Sequence, residues 1–229
     1  MYDSSGTVFV TGGTGYVGRR LIPLLLARGH RVRALVRPGS ERKLTGRCEP
    51  VIGDPLDAFS YVSRIVPARV FVHLVGVPHP SPSKAAEFIA VDQKSLEQAV
   101  PAAKTAGVRH FVYVSVAHPA PAMKAYIEVR ERCEQIVRSS GMKATILRPW
   151  YVLGPGHRWP HLLQPLYWLA ERIPDTREGA LRLGLVTLPQ MITALTEAVE
   201  NEPKGIRIVT VPEIRAAQLR EPLRQARTA

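Results

Sequence analysis

Two cysteines in 229 residues, Cys48 and Cys133, are too few and too far apart for a disulfide framework or a thiolate metal site, which fits a reducing compartment. Acidic residues are scarce as well: 19 Asp and Glu stand against 31 Lys and Arg, a formal charge of +12. Long apolar runs are missing, since Pro, Gly or charge interrupts each one well short of a membrane span, and no cationic leader with an apolar core opens the chain. The expectation is a cytoplasmic protein without a transmembrane segment. The basic excess raises nucleic acid, a membrane surface or an anionic ligand as partner. The cations are scattered, however, with no zinc-finger spacing and no aromatic RNA-binding signature, so no specific nucleic acid is expected. Internal repeats and low-complexity tracts are absent too.

What is present is an alternation of short β-branched runs with amphipathic helical stretches, the pattern of a parallel sheet covered on both faces. Strands are predicted at 7–11, 31–36, 49–52, 70–74, 110–115, 144–147 and 206–209. Helices are predicted at about 16–28, 85–106 and 126–139, each followed by a glycine suited to a left-handed cap: Gly29, Gly107 and Gly141. Pro23 and Pro101 conflict with two of them, because each removes a backbone hydrogen bond. The fold class is therefore α/β, a Rossmann-type doubly wound parallel sheet with a small C-terminal lobe. Residues 1–156 read as the nucleotide-binding domain, 157–215 as a lobe packing back on the core, and 216–229 as a frayed tail.

The first strand and helix are joined by Thr11-Gly12-Gly13-Thr14-Gly15-Tyr16-Val17-Gly18. Glycines at three-residue spacing in that context build a dinucleotide-phosphate turn: Gly12 for the tight turn, Gly15 for backbone approach to phosphate, Gly18 for close packing of helix on strand. The helix start supplies unpaired N–H groups and the positive end of the helix dipole. Thr14, Tyr16 and Val17 belong to the same candidate cofactor contact. Arg37 follows the second strand, where a carboxylate would bind the ribose 2′-hydroxyl of NAD and a cation accommodates the 2′-phosphate of NADP. NADP is therefore preferred over NAD, with Arg42 or Lys43 adding charge.

The set Thr11 to Gly18, Arg33-Ala-Leu-Val-Arg37, Gly53-Asp54, His73-Leu-Val-Gly76, Val112-Tyr-Val-Ser115, Tyr126-x-x-x-Arg130 and Leu147-Arg-Pro149 resembles the extended and atypical short-chain dehydrogenase/reductases. Within them it looks like the NmrA-like proteins and the NAD(P)H-binding accessory subunit of respiratory complex I. The resemblance covers about residues 6–156. It implies a Rossmann domain, an adenine contact from Asp54, and a ribose wall from Leu74, Val75 and Gly76. An Asp before Pro is also a good turn former. His73 reads as a strand histidine rather than a base or ligand, and no metal is expected.

The same resemblance implies that Ser115, Tyr126 and Arg130 form the catalytic group, with Tyr126 exchanging a proton with the substrate and Ser115 holding its oxygen. Arg130 stands in the position of the family's lysine, which binds the nicotinamide ribose and lowers the tyrosine pKa. Spacing of four on a helix sets Tyr126 and Arg130 on one face, and arginine supplies charge but no titratable proton. Asp92 stands where many relatives carry Asn, which puts an Asn-dependent water relay in doubt. His118 and Lys124 are further candidates for proton transfer. Trp150 and Tyr151 stand by the nicotinamide loop, and the aromatic segment 158–177 is read as a cover or contact surface. Two functions follow: an NADP-dependent oxidoreductase, or an epimerase or reductase working through transient oxidation, on an unknown small molecule; or a non-catalytic protein that senses NADP(H) or stabilises a protein partner. The resemblance also admits a homodimer.

Overall fold

A computed structural model of the chain describes residues 6–155, 179 and 181–219. Seven strands form one sheet: β1 (Thr7–Thr11), β2 (Arg31–Val36), β3 (Glu49–Ile52), β4 (Val70–His73), β5 (His110–Val114), β6 (Lys143–Leu147) and, late in the chain, β9 (Ile206–Val209). Their order is β3-β2-β1-β4-β5-β6-β9, and every pairing is parallel. The order reverses between β1 and β4, so a crevice opens at the C-terminal ends of those two strands, where such sheets bind ligands. The sequence pattern anticipates all seven strands to within a residue or two. It misses a small parallel pair, β7 (Tyr151–Leu153) with β8 (Leu185–Thr187), whose three-residue strands are too short to show a period.

The two faces of the sheet are buried by different helices. On one side α1 (Gly18–Ala27) packs Leu21, Ile22 and Leu25 into a cluster with Val8, Val10 and Val72, joined by Met191 and Leu195 of α4 (Leu188–Glu200) and Ile214 of α5 (Val211–Ala216). On the other, α2 (Lys94–Thr105) contributes Leu96, Ala99 and Ala103, and α3 (Lys124–Ser139) contributes Val129, Cys133 and Val137. Pro23 and Pro101 sit inside α1 and α2 but are exposed, so each missing N–H lies on the wet side of its helix. Gly29, Gly107 and Gly141 follow their helices at φ of 89°, 73° and 73°, the left-handed values that favour glycine.

The stretch predicted as one helix over 85–106 is broken. A 3-10 turn (Pro82–Lys84), a single α turn (Ala85–Glu87) and a π-helical turn (Phe88–Gln93) precede α2. The wider π turn buries both Phe88 and Asp92. Turns of this kind occur as local insertions in helices, often at functional sites.

Register explains how the core leads into the site. Phe9, Phe71 and Phe111 are aligned across β1, β4 and β5, with ring centroids 5.1 Å apart in each neighbouring pair. Such aromatic pairs contribute about 0.5–1.5 kcal/mol each beyond their buried area. Two residues further along, on the same face, the aligned row is Thr11, His73 and Tyr113. The sheet therefore turns from aromatic to polar within one pleat as it reaches the crevice.

The described part of the region 157–215 supplies β8, α4, most of α5 and β9, and β9 is itself the edge strand of the sheet, paired with β6. The aromatic segment 158–177 and residues 220–229 of the expected tail lie outside the described residues. Among the described residues no helix is long and apolar enough to cross a membrane.

Candidate functional site

The turn from β1 into α1 needs its glycines for separate reasons. Gly12 has φ of +73°, and a side-chain carbon there would meet the Leu74 carbonyl at 2.7 Å, so the turn lies hard against the end of β4. A side-chain carbon on Gly18 would strike the Gly12 carbonyl oxygen and stand 2.7 Å from the Gly13 α-carbon. At Gly15 the nearest atom is the Gly12 oxygen at 3.1 Å, and nothing else stands within 4 Å, which leaves that backbone open to a ligand. No side chain caps α1 and no acidic residue stands in its first turn. The Arg19 and Arg20 N–H groups bond back to the Gly15 and Val17 carbonyls, at 3.1 and 3.0 Å, so what the helix start offers an anion is the positive end of its dipole. Arg19 and Arg20 add positive charge there, and Arg20 donates to the Tyr16 carbonyl at 3.0 Å while lying 4.9 Å from that ring's centroid. The residues present fit a pyrophosphate.

Arg37 is exposed just past β2, and no hydrogen bond or ion pair engages its side chain among the described residues. The loop behind it is folded onto the glycine turn: Leu44 packs 3.4 Å from where a Gly13 side chain would stand, and Thr45 donates to the Arg19 carbonyl at 2.6 Å. That places the exposed Arg42, Lys43 and Arg47 on the segment bordering the turn. Asp54 follows β3, and one carboxylate oxygen accepts from the Leu56 N–H at 2.9 Å, closing its own turn. Leu74, Val75 and Gly76 extend from β4, tied by the Leu74 N–H to the Thr11 carbonyl at 3.1 Å.

The polar row continues from the strands into α3. His73 is fully buried between the Thr11 hydroxyl at 3.0 Å and the Ser95 hydroxyl at 3.3 Å. Burial, reinforced by Arg130, pushes it down to about 3, so it is a neutral strand histidine. Arg130 is buried as well. Its Nη1 donates to the Tyr113 hydroxyl and the Val114 carbonyl, both at 3.0 Å, and its Nη2 pairs with Asp92 at 2.6 Å. The other Asp92 oxygen accepts from the Val77 N–H at 2.9 Å. Burial raises the Asp92 carboxyl against the pull of Arg130 and that N–H.

Tyr126 lies one turn before Arg130, with the guanidinium carbon 5.0 Å from its ring centroid and Phe88 tilted against it at 4.9 Å. Burial raises its phenol above the ordinary 10.0, and the pull of Arg130 does not reverse this. The structure therefore joins Tyr126 to Arg130 but keeps the phenol protonated. Ser115 goes elsewhere: its hydroxyl donates to Glu134 at 2.7 Å. Glu134 is buried and held in a fork by Arg148, at 2.9 and 2.5 Å, with His118 at 3.3 Å. Burial would raise this carboxyl, but Arg148 and Ser115 hold it below the usual glutamate value. His118 also meets Glu131 at 3.1 Å, while Lys124 is an exposed first residue of α3. Trp150 packs against the first core cluster, and Tyr151 begins β7.

Sequence reasoning missed Glu134, Arg148 and the pairing of Asp92 with Arg130. One signal was available: Tyr126, Arg130 and Glu134 recur every four residues and so share a helix side. The π turn that aims Asp92 inward leaves no such mark. Among the described residues no group of His, Cys, Asp or Glu could hold a metal ion.

Comparison with known proteins gives four further findings. Residues 12–157 match a family model described as NAD(P)H-binding. The chain is 32% identical over 157 residues to a ceramide reductase of Caulobacter vibrioides, covering 67% of this chain and 49% of that protein. It is 29% identical over 233 residues to a 3-diazoavenalumate denitrifying reductase of a Streptomyces species, covering 90% of this chain and 76% of the relative. The chain thus spans about half the length of the first of these relatives. In fold it is similar to the Bordetella bronchiseptica enzyme WbmH in complex with NAD+, at a TM-score of 0.67 and 22% identity, over 90% of this chain and 76% of the other.

Proposed function

The chain belongs to the NAD(P)H-binding family, and from that premise we propose that it is an NADP-dependent reductase of the short-chain dehydrogenase/reductase type acting on a small organic molecule. The observation that carries the reading is the uncapped start of α1, opening from a turn with no room for a side chain at Gly12 or Gly18, together with an exposed Arg37 that no neighbour among the described residues neutralises. The turn and helix start would hold the pyrophosphate, and Arg37 with Arg42 or Lys43 the 2′-phosphate. The reductase names of the relatives support the direction of the chemistry. When bound, the cofactor supplies a hydride.

The protein's part is the proton and the geometry. Tyr126, one turn before Arg130 and protonated, is the group that would deliver a proton to the oxygen or carbon opposite the hydride, with Arg130 pulling its phenol down against the burial that raises it. Ser115 has committed its proton to an ionised Glu134, so its oxygen is left as an acceptor. It would therefore hold a hydroxyl, such as that of an alcohol product, more readily than a carbonyl. Leu74, Val75 and Gly76 wall the ribose, and Asp54 borders the adenine with the carboxylate oxygen not used in its turn. The free Cys48 and Cys133 suit a cytoplasmic setting.

Two measurements test the reading. Calorimetry is expected to show NADPH binding at least tenfold more tightly than NADH, with Arg37→Asp reversing the order; equal affinities would remove Arg37 from the site. Incubation of the NADPH complex with a panel of quinones, aldehydes and sugar nucleotides is expected to consume NADPH with at least one of them. Tyr126→Phe should slow that consumption at least a hundredfold, the scale of a lost general acid. Turnover unchanged by Tyr126→Phe would show that another group gives the proton.

A further inference from the structure

Arg130 has no open edge to offer a ligand. Its side chain is 8% exposed, Nη2 faces Asp92, Nη1 is shared between Tyr113 and Val114, and Nε is buried without a partner. An arginine cannot shed its charge, so burying one at this depth requires a carboxylate beside it. Asp92 meets that need with a side chain that is fully buried. The pair is wedged against the strand end: a side-chain carbon on Gly76 would stand 2.6 Å from Arg130 Nη2 and 3.2 Å from the Asp92 oxygen. Asp92 also holds Val77, the residue after Gly76, through its N–H. On the other side the guanidinium supports the Tyr126 ring.

We propose that Asp92 and Arg130 act as one electrically neutral unit that positions Tyr126 and the wall formed by Leu74, Val75 and Gly76, and that Arg130 is a positioning residue rather than a ligand of the nicotinamide ribose. The π turn is the device that delivers Asp92 to this place, since it buries Asp92 together with Phe88, the ring packed on Tyr126. The two residues depend on each other. With Asn at 92 the arginine would be a buried charge without a counterion, and with an apolar residue at 130 the aspartate would be. The inference rests on the NADP reading only for the ligand that the wall faces.

The test uses four proteins: the wild type, Asp92→Asn, Arg130→Met and the double variant. Two probes are titrated by calorimetry, NADPH and 2′,5′-ADP, which carries the adenine and 2′-phosphate but no nicotinamide ribose. Each single variant is expected to weaken NADPH at least tenfold, and the double variant to recover at least threefold over Arg130→Met. 2′,5′-ADP should bind equally to all four, which a general loosening of the fold would not allow. If the double variant binds NADPH no better than Arg130→Met, the arginine is a ribose ligand and the proposal falls. If 2′,5′-ADP weakens in step with NADPH, the pair is merely structural and the proposal falls as well. A wild type that binds neither probe defeats the NADP reading instead. In that case the melting temperatures decide: losses in the double variant smaller than the sum of the singles support the pair, and additive losses overturn it.

Discussion

Gly18 shows how much of this site is decided by the absence of a single carbon. The three atoms that a side chain there would meet, the Gly12 carbonyl oxygen and the Gly13 α-carbon and carbonyl oxygen, are backbone, and none can swing away. Gly18→Ala must therefore lift α1 off the turn, at a cost of about 1–3 kcal/mol for forced overpacking. The same shift moves the helix start and its dipole, so NADPH affinity should fall by at least two orders of magnitude in calorimetry while the circular dichroism of the sheet is kept. Gly29→Ala is the control. Nothing lies within 4 Å of its added carbon, although φ is +89°. The cost there is the left-handed backbone alone, about 1–2 kcal/mol, and NADPH binding should be unchanged. A Gly18→Ala protein that binds NADPH normally would show that the phosphates do not sit on this turn.

At the level of elements, α3 carries Tyr126, Arg130 and Glu134 on one side, and it also shows what a sequence can disclose. Its existence, its end before Gly141 and the shared face of Tyr126 and Arg130 follow from local spacing. The seven strands are equally legible, because a buried parallel strand is a short β-branched run bounded by turn residues. The partners of that face were not legible. Glu134 meets Arg148, the residue just past β6, and Arg130 meets Asp92 from a π turn, and such pairings are set by how elements stack rather than by any period along the chain. Their energies differ in kind from those of surface pairs. Glu134→Gln leaves the Arg148 fork facing a neutral group and sets an amide NH2 against one of the donors the carboxylate had accepted, so urea unfolding should show a loss of about 3–5 kcal/mol. Arg138 touches the same carboxylate at 3.6 Å but is 37% exposed. Arg138→Ala should cost no more than about 0.5–1 kcal/mol, and equal losses for the two variants would show that Glu134 is not the hub of α3.

For the molecule as a whole, the buried histidines set the acid limit of stability. His73 lies between Thr11 and Ser95, and His110 between β4 and β6 with its Nε2 2.9 Å from the Thr145 hydroxyl. Burial is the main cause that pushes them down to about 3 and about 4, from an ordinary 6.5. Between those values and 6.5 the unfolded chain takes up two protons that the folded chain refuses. Their contribution is thus fully present above pH 6.5 and is lost as the pH falls toward 4. Two protons correspond to about 2.7 kcal/mol per pH unit near pH 5. Glu134, held below 4.5, adds to the loss at the acid end, whereas Asp92, raised from 3.8, opposes it as the pH approaches its own range. A chain already at +12 gains further self-repulsion as its carboxylates protonate, which acts in the same direction as the histidines. Melting temperatures should therefore be level from pH 8 to 7 and fall steeply from pH 6.5 to 5. His110→Gln keeps a hydrogen-bonding group for Thr145 but removes one titration, so it should halve the steepness between pH 6 and 5. A flat profile there, or an unchanged slope in His110→Gln, would mean that the interior admits a charged imidazole after all.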